Sequence, residues 1–275
     1  MTGADRIRGS FAAAAADDRS ALIAYILSGY PSDADAFDAA ESALAAGADM
    51  LEIGVPFSDP MADGPTIAEA GRVSLAAGGG LGSARRLVAR LRAHGHERPL
   101  MVMSYLNPLI AAGTSATLRG LRQDGADGLI VPDLPAGGDS RLERLAASCG
   151  LALSFLVAPN TPQSRIDDAA AASTGFVYVV PLFGVTGARD SMRAGARDLV
   201  AMVRERAAGR APVAAGFGLK TAAQVAELAP VADGVIVGSA LVAALRDGGP
   251  AALGELVASL RAGTARTVPV GSAES

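Results

Sequence analysis

A short phrase recurs along this chain and restricts what it can fold into: Gly47-Ala48-Asp49 before MLEIGV, Gly125-Ala126-Asp127 before GLIVPD, and Ala232-Asp233 before GVIVGS. Each copy closes an amphipathic stretch and opens a short, apolar, β-branched run. Glycine suits the left-handed position that ends a helix, and continuous apolar runs are the signature of strands covered on both faces. The repeating unit is therefore βα. Read throughout, the pattern predicts strands over Ala21–Ser28, Met50–Val55, Leu100–Tyr105, Gly128–Val131, Ala152–Val157, Phe176–Val180, Pro212–Gly216 and Gly234–Val237. Helical periodicity fills the gaps, at Asp33–Ala46, Ala84–Arg92, Ser115–Gln123, Asp139–Ala147, Arg165–Ala172, Asp198–Arg206, Ala222–Leu228 and Ala251–Arg261.

Eight alternations in 275 residues favour a closed (β/α)₈ TIM barrel, an α/β fold, over an open sheet. An extra helix at Arg6–Ala15 is placed to plug the bottom of the barrel, and a short extra helix, Ala240–Leu245, follows strand eight. No Pro-, Gly- or Ser-rich linker divides the chain, so residues 1–275 read as a single barrel domain, with 1–18 as the leading helix and 266–275 as a frayed tail.

With 50% hydrophobic residues, 19% charged and a net charge of -4, the chain has the composition of a soluble globular protein. Its 24 Lys and Arg are dispersed, whereas a nucleic-acid partner would require a clustered basic face. No apolar run approaches the roughly 20 residues that span a bilayer, and Ala12–Ala16 lead into Asp17 and Asp18 rather than a signal-peptide core. One cysteine, Cys149, cannot form an internal disulfide. A cytoplasmic protein is expected, without nucleic acid or membrane as partner.

In such barrels chemistry belongs to the strand C-terminal ends and the loops after them. That polarity sets aside His94, His96 and Cys149, which precede strands three and five. It therefore removes a zinc site and a Ser-His-Asp triad. Lys220, the sole lysine, follows Gly218-Leu219 in a loop where nothing desolvates its amine, which argues against imine chemistry. Two carboxylates survive. Glu52 lies in a strand among Leu51, Ile53 and Val55, where burial raises the carboxyl pKa, while Asp63, between Ala62 and Gly64 in the following loop, is expected to stay solvated and ionised. The alternative makes Glu52 a satisfied core residue and Asp63 a helix cap ahead of Pro65.

The four tyrosines, Tyr25, Tyr30, Tyr105 and Tyr178, all map to strands or to the loops just beyond them, and are expected to line one cavity suited to a flat apolar substrate. Glycines crowd the last three mouth loops: Gly184-Val185-Thr186-Gly187, Gly216-Phe217-Gly218 and Gly238-Ser239. Exposed N–H groups beside a helix start make an anion site, so a phosphorylated ligand is expected there. The run Gly78-Gly79-Gly80-Leu81-Gly82 fits no nucleotide motif and reads as a break between two helices.

The stretch LEIGVPFSDPMADGPTI, from Leu51 to Ile67, resembles the signature of the tryptophan synthase α-subunit family. Supporting matches are Tyr105-Leu106-Asn107-Pro108, Val131-Pro132-Asp133-Leu134-Pro135, Gly184-Val185-Thr186-Gly187, Gly216-Phe217-Gly218 and Gly238-Ser239, so the likeness runs from about Ser20 to Leu260. The resemblance implies retro-aldol cleavage of indole-3-glycerol phosphate, with Glu52 and Asp63 catalytic. It also implies Tyr25, Tyr105 and Tyr178 around the indole, Thr186 meeting Asp63 when loop six closes, and Gly187, Gly218, Gly238 and Ser239 on the phosphate. No metal or cofactor is implied in this chain. Pyridoxal phosphate is expected in a partner β subunit of an α2β2 heterotetramer, contacted near Asp59, Pro60, Asn107 and Pro135.

Two departures from the family pattern stand out: Val180-Pro181-Leu182-Phe183 after strand six and Gly29-Tyr30-Pro31 after strand one. Proline fixes φ and removes a donor, so they bear on loop six and on coupling to a partner. They leave open a stand-alone lyase that releases indole, a catalytically silent barrel that regulates a partner, and another phosphate-binding barrel such as an isomerase.

Overall fold

The structure is a computed structural model that describes residues 1–181 and 189–266. The elements in chain order are α1 (Gly3–Ala16), β1 (Ala21–Leu27), α2 (Asp33–Ala45), β2 (Met50–Gly54), α3 (Pro65–Ala76), α4 (Leu81–Ala93), β3 (Leu100–Met103), α5 (Leu106–Ala111), α6 (Thr114–Asp124) and β4 (Gly128–Ile130). There follow α7 (Ser140–Cys149), β5 (Ala152–Ser154), β6 (Leu156–Val157), α8 (Gln163–Ala172), β7 (Val177–Val179), α9 (Arg189–Ala207), β8 (Val213–Ala215), α10 (Ala222–Leu228), β9 (Gly234–Val237) and α11 (Ser239–Ala262).

All strands are parallel, in the order β5-β4-β3-β2-β1-β9-β8-β7-β6. The two ends of that order are halves of the predicted fifth strand, divided at Phe155. Its first half pairs with β4 and its second with β7, and Tyr178 N–H donates to Phe155 O at 2.9 Å, so the barrel closes through this bent strand. Among the described residues, nine strands thus fill the eight predicted positions. The glycine run does separate two helices, α3 and α4. The short helix after the last strand and the final predicted helix are the two halves of α11, which kinks at Gly249 (φ 70°) before Pro250. Helix α5 was not visible as a periodic segment: six residues after β3 are too few to show a period. Of the expected frayed tail, Arg266 is instead anchored, its N–H donating to Asp18 O at 2.9 Å, and 267–275 lie outside the described residues.

The recurring phrase has a structural meaning. The N–H of Asp49 donates to Leu22 O, and the Asp49 carboxylate accepts the Leu22 N–H, both at 2.8 Å. Asp127 does the same to Leu100, and Asp233 to Val213. Thr174 repeats the arrangement on Leu153 with its hydroxyl. At each odd-numbered barrel position an N–H of the first or second strand residue would be left without a partner at the bottom edge, and these side chains satisfy it. Arginines neutralise these acids: Arg19 grips the buried Asp49 at 2.6 and 2.8 Å, Arg6 and Arg92 each reach the buried Asp127 at 2.6 Å, and Arg204 reaches the half-buried Asp233 at 3.1 Å. Beyond each helix, Gly47 (φ 102°) and Gly125 (φ 103°) take the left-handed conformation expected of them.

Along each strand alternate side chains enter the barrel. At the bottom they are apolar: Ile23, Met50, Met101, Ile130, Phe176 and Ile236, sealed from below by Ile7, Phe11 and Ala14 of α1. Helix α1 is therefore the expected plug. Phe11 meets Phe176 edge-on at 5.8 Å, and a Cβ on Gly234 would lie 2.8 Å from the Phe11 ring, so glycine is required where the plug enters. One pleat higher stand Tyr25, Glu52 and Tyr178, and at the rim Gly54 and Gly216 supply no side chain. A Cβ on Gly54 would fall 2.1 Å from the Tyr25 hydroxyl, and one on Gly216 2.9 Å from the Tyr178 ring. The interior thus passes from hydrocarbon to acid and phenol to bare backbone.

Candidate active site

Glu52 sits on β2 with Tyr25 as its cross-strand neighbour on β1. It is fully buried, and among the described residues neither carboxylate oxygen has a hydrogen-bond partner. Burial, and then the charge of Asp63, push its pKa up to about 8. An unpartnered carboxyl this deep costs free energy in the resting protein, which rules out the satisfied-core alternative.

Asp63 lies in the loop between β2 and α3. It does not cap the helix: Gly64 is the N-cap and makes no side-chain cap bond. The expectation of a solvated aspartate needs correction, because Asp63 is only partly exposed. Burial lifts its pKa to about 6, opposed by a hydrogen bond from Tyr105. The loop folds back over the mouth far enough to lose much of its water, which residue order alone did not reveal. The two acids still differ in proton affinity in the predicted sense, Glu52 protonated and Asp63 ionised near neutrality.

Three tyrosines join them. Tyr25 and Tyr178 are held well above the ordinary phenol range by burial and by the two acids, so both stay protonated. Tyr105 is raised by burial and then by the charge of Asp63; its hydroxyl oxygen accepts the Ala62 N–H at 2.7 Å, and its ring stacks on Phe57 at 5.0 Å. Phe57 was not singled out from sequence, although it falls inside the most distinctive stretch. Tyr30 departs from expectation: it is buried in the core between barrel and helices, with Arg246 as its charged neighbour.

Across the mouth, Gly218 (φ 64°) is exposed, and nothing lies within 4 Å of where its Cβ would be. Gly238 caps α11 without a side-chain bond. The first intrahelical bonds come from Leu241 and Val242 to Gly238 O, which leaves the N–H groups of Ser239 and Ala240 ahead of them at the helix start. Gly218, Gly238 and Ser239 thus offer backbone donors and a helix N-terminus to an anion. Thr186 and Gly187 lie outside the described residues. Around the same rim Asp59, Asn107 and Pro135 are exposed and Pro60 is half-exposed, and Met61 and Ile110 present 81% and 47% of their surface.

The residues set aside by polarity are far from this mouth. His94 packs edge-on against Phe37, His96 bonds to Glu41 and Cys149 ends α7; Lys220, by contrast, lies in the mouth loop two residues past Gly218 and is exposed, as expected. Among the described residues no three His, Cys, Asp or Glu side chains stand close enough to hold a metal. A groove of about 500 Å³ opens at the bottom, between α1, α2 and the loop before β3. The filled apolar layer separates it from Glu52, and its Arg6, Glu41 and His96 are already paired.

Known proteins resemble this chain over nearly its whole length. A sequence model described as tryptophan synthase alpha chain matches residues 11–263. The tryptophan synthase alpha chain of Deinococcus radiodurans is 41% identical over 264 residues, covering 96% of this chain and 96% of the relative. That of Streptomyces coelicolor is 41% identical over 263 residues, covering 94% and 95%. Among solved structures, Mycobacterium tuberculosis tryptophan synthase in space group F222 superposes with a TM-score of 0.87 at 38% identity, covering 94% of this chain and 98% of that one. The tryptophan synthase subunit alpha of Legionella pneumophila gives 0.83 at 30% identity, covering 96% and 98%.

Proposed function

The chain belongs to the tryptophan synthase alpha chain family, and from that premise we propose how its own residues carry out the reaction. The reaction is the cleavage of indole-3-glycerol phosphate to indole and glyceraldehyde 3-phosphate, a carbon–carbon lyase step of tryptophan biosynthesis. The observation that carries the assignment of roles is one mouth holding two carboxylates with separated proton affinities, Glu52 at about 8 and Asp63 at about 6.

Protonated Glu52 delivers its proton to indole C3. The positive charge that develops on the ring nitrogen is met by the Asp63 carboxylate, which accepts the indole N–H. Glu52, now a carboxylate in a dry site, removes the proton from the hydroxyl on the adjoining glycerol carbon. The C3–carbon bond breaks, its electron pair restores the aromatic ring, and the carbon leaves as the aldehyde. Glu52 ends protonated, so no external acid or base is consumed.

Tyr25, Tyr105 and Tyr178 enclose the indole, and Tyr105 also steadies Asp63. Gly218, Gly238 and Ser239 bind the phosphate by backbone N–H groups, and the family resemblance adds Gly187 on the phosphate and Thr186 as a partner of Asp63. The partner is the β subunit, which carries the pyridoxal phosphate; this chain needs no cofactor for its own step. The exposed Met61 and Ile110, with Asp59, Pro60, Asn107 and Pro135, form the rim it contacts in an α2β2 assembly. Among the described residues no helix is long and apolar enough to cross a membrane, and we place the enzyme in the cytoplasm.

The test is steady-state release of indole from indole-3-glycerol phosphate, with and without a β subunit. The unsubstituted protein should release indole faster with the partner, and Glu52→Gln should lower release by several orders of magnitude. Unchanged release in Glu52→Gln refutes the assignment.

A further inference from the structure

Behind the mouth, on the side away from substrate, two fully buried serines join the elements that carry the reactive groups. Ser28 follows β1, which holds Tyr25. Its N–H and its hydroxyl both donate to Gly54 O, at 3.0 and 2.8 Å, at the end of the strand that carries Glu52. The hydroxyl of Ser74, on α3, donates to Ser28 O at 2.9 Å. Both serines are 0% exposed. The junction is tight: a Cβ on Gly29 or Gly79 would lie 2.7 or 2.1 Å from the Ser74 Oγ, and Gly79 N–H donates to Ser74 O at 2.8 Å.

The Asp63 loop is therefore held at both ends by one residue, Ser28, directly at Gly54 and through Ser74 by way of α3. Ser74 stands nine residues along the helix from Pro65. At 1.5 Å per residue that is a lever of about 14 Å, so a tilt of about 4° at the anchor moves the Asp63 end by about 1 Å. Misplacement of about 1 Å costs up to about a hundredfold in rate.

We propose that Ser28 and Ser74 are positioning residues for the lyase step: the chain Ser74–Ser28–Gly54 sets the separation of Glu52 and Asp63. This rests on the functional reading above and adds residues that never touch the substrate.

The experiment compares Ser28→Ala and Ser74→Ala with Ser20→Ala as control. Ser20 is equally buried and donates to Ala229 O and Ala232 O at 2.9 and 2.8 Å, but at the bottom of the barrel. Indole release is measured below the lowest melting temperature of the set, together with the Kd for inorganic phosphate. The expected result is kcat lowered about tenfold in both mouth variants, with KM within about twofold and phosphate affinity unchanged, while Ser20→Ala keeps its kcat. Ser74→Cys, which retains a donor, should recover part of the loss and serves if the alanine variant folds poorly. Mouth variants with wild-type kcat, or an equal fall in Ser20→Ala, overturn the proposal. No indole release from the unsubstituted protein, with or without its partner, overturns the functional reading itself and this inference with it.

Discussion

Glu52→Gln should stabilise the fold, and by an amount that grows with pH. In the unfolded chain this carboxyl titrates near 4.5, and in the folded protein near 8. A folded pKa raised above the unfolded one contributes stability that is fully present below 4.5 and is lost as pH rises through 8, because between those values the folded state must hold a proton that the unfolded state releases. Integrating over those two pKa values, the wild-type protein forfeits less than about 1 kcal/mol at pH 5, about 3 at pH 7 and about 5 at pH 9. Glutamine has no proton to release, so the difference in stability between variant and wild type should follow the same curve. Any cost of burying an unpartnered amide is independent of pH and shifts the curve without tilting it. Asp63 is present in both proteins, so its own titration cancels to first order. Differential scanning calorimetry from pH 5 to 9 reads the effect: at roughly 2–4 °C per kcal/mol, the gap in Tm should widen by several degrees between pH 5 and 7. A gap that stays constant over that range would show that Glu52 is solvated or paired in the native protein, and would remove the basis for calling it the acid.

Two other outcomes follow from the same barrel. The pH profile of kcat/KM should be bell-shaped, rising near pH 6 as Asp63 ionises and falling near pH 8 as Glu52 loses its proton; a profile without the alkaline fall would contradict the assignment. Asp127→Asn should destabilise the fold by about 3–5 kcal/mol, since it leaves Arg6 and Arg92 without their buried counter-charge, and a loss below about 1 kcal/mol in urea melts would refute the importance of that junction.

Much of this was legible in the sequence for identifiable reasons. The Gly-Ala-Asp phrase announced strand starts because glycine is needed where the helix stops and a carboxylate is needed where the next strand begins. Glu52 stood out because a charge among Leu51, Ile53 and Val55 is costly unless it is used. What escaped notice depended on three-dimensional closure. Thr174 performs the aspartate's task at the third junction with a hydroxyl, so the repeat is complete in space but broken in spelling. The division of the fifth strand at Phe155 answers to the need to close the ring and leaves no mark on hydropathy. Asp63 reads as a loop residue, and its partial burial arises from the loop folding back against Tyr105. Tyr30 looked like the other tyrosines, yet sits one residue past Gly29, whose left-handed turn (φ 71°) directs the chain outward. Ser28 and Ser74 carry no signature at all, since two serines far apart in order have nothing to mark them as neighbours.

The helix under the barrel has one more implication. Among the described residues the vessel is stoppered at its base, so whatever is made inside leaves at the end by which the starting material came. In isolation, the released bicycle and its aldehyde co-product share that exit with incoming reactant and with solvent. A second protein seated on that lip stands where the bicycle emerges, because the stopper closes the way out through the base.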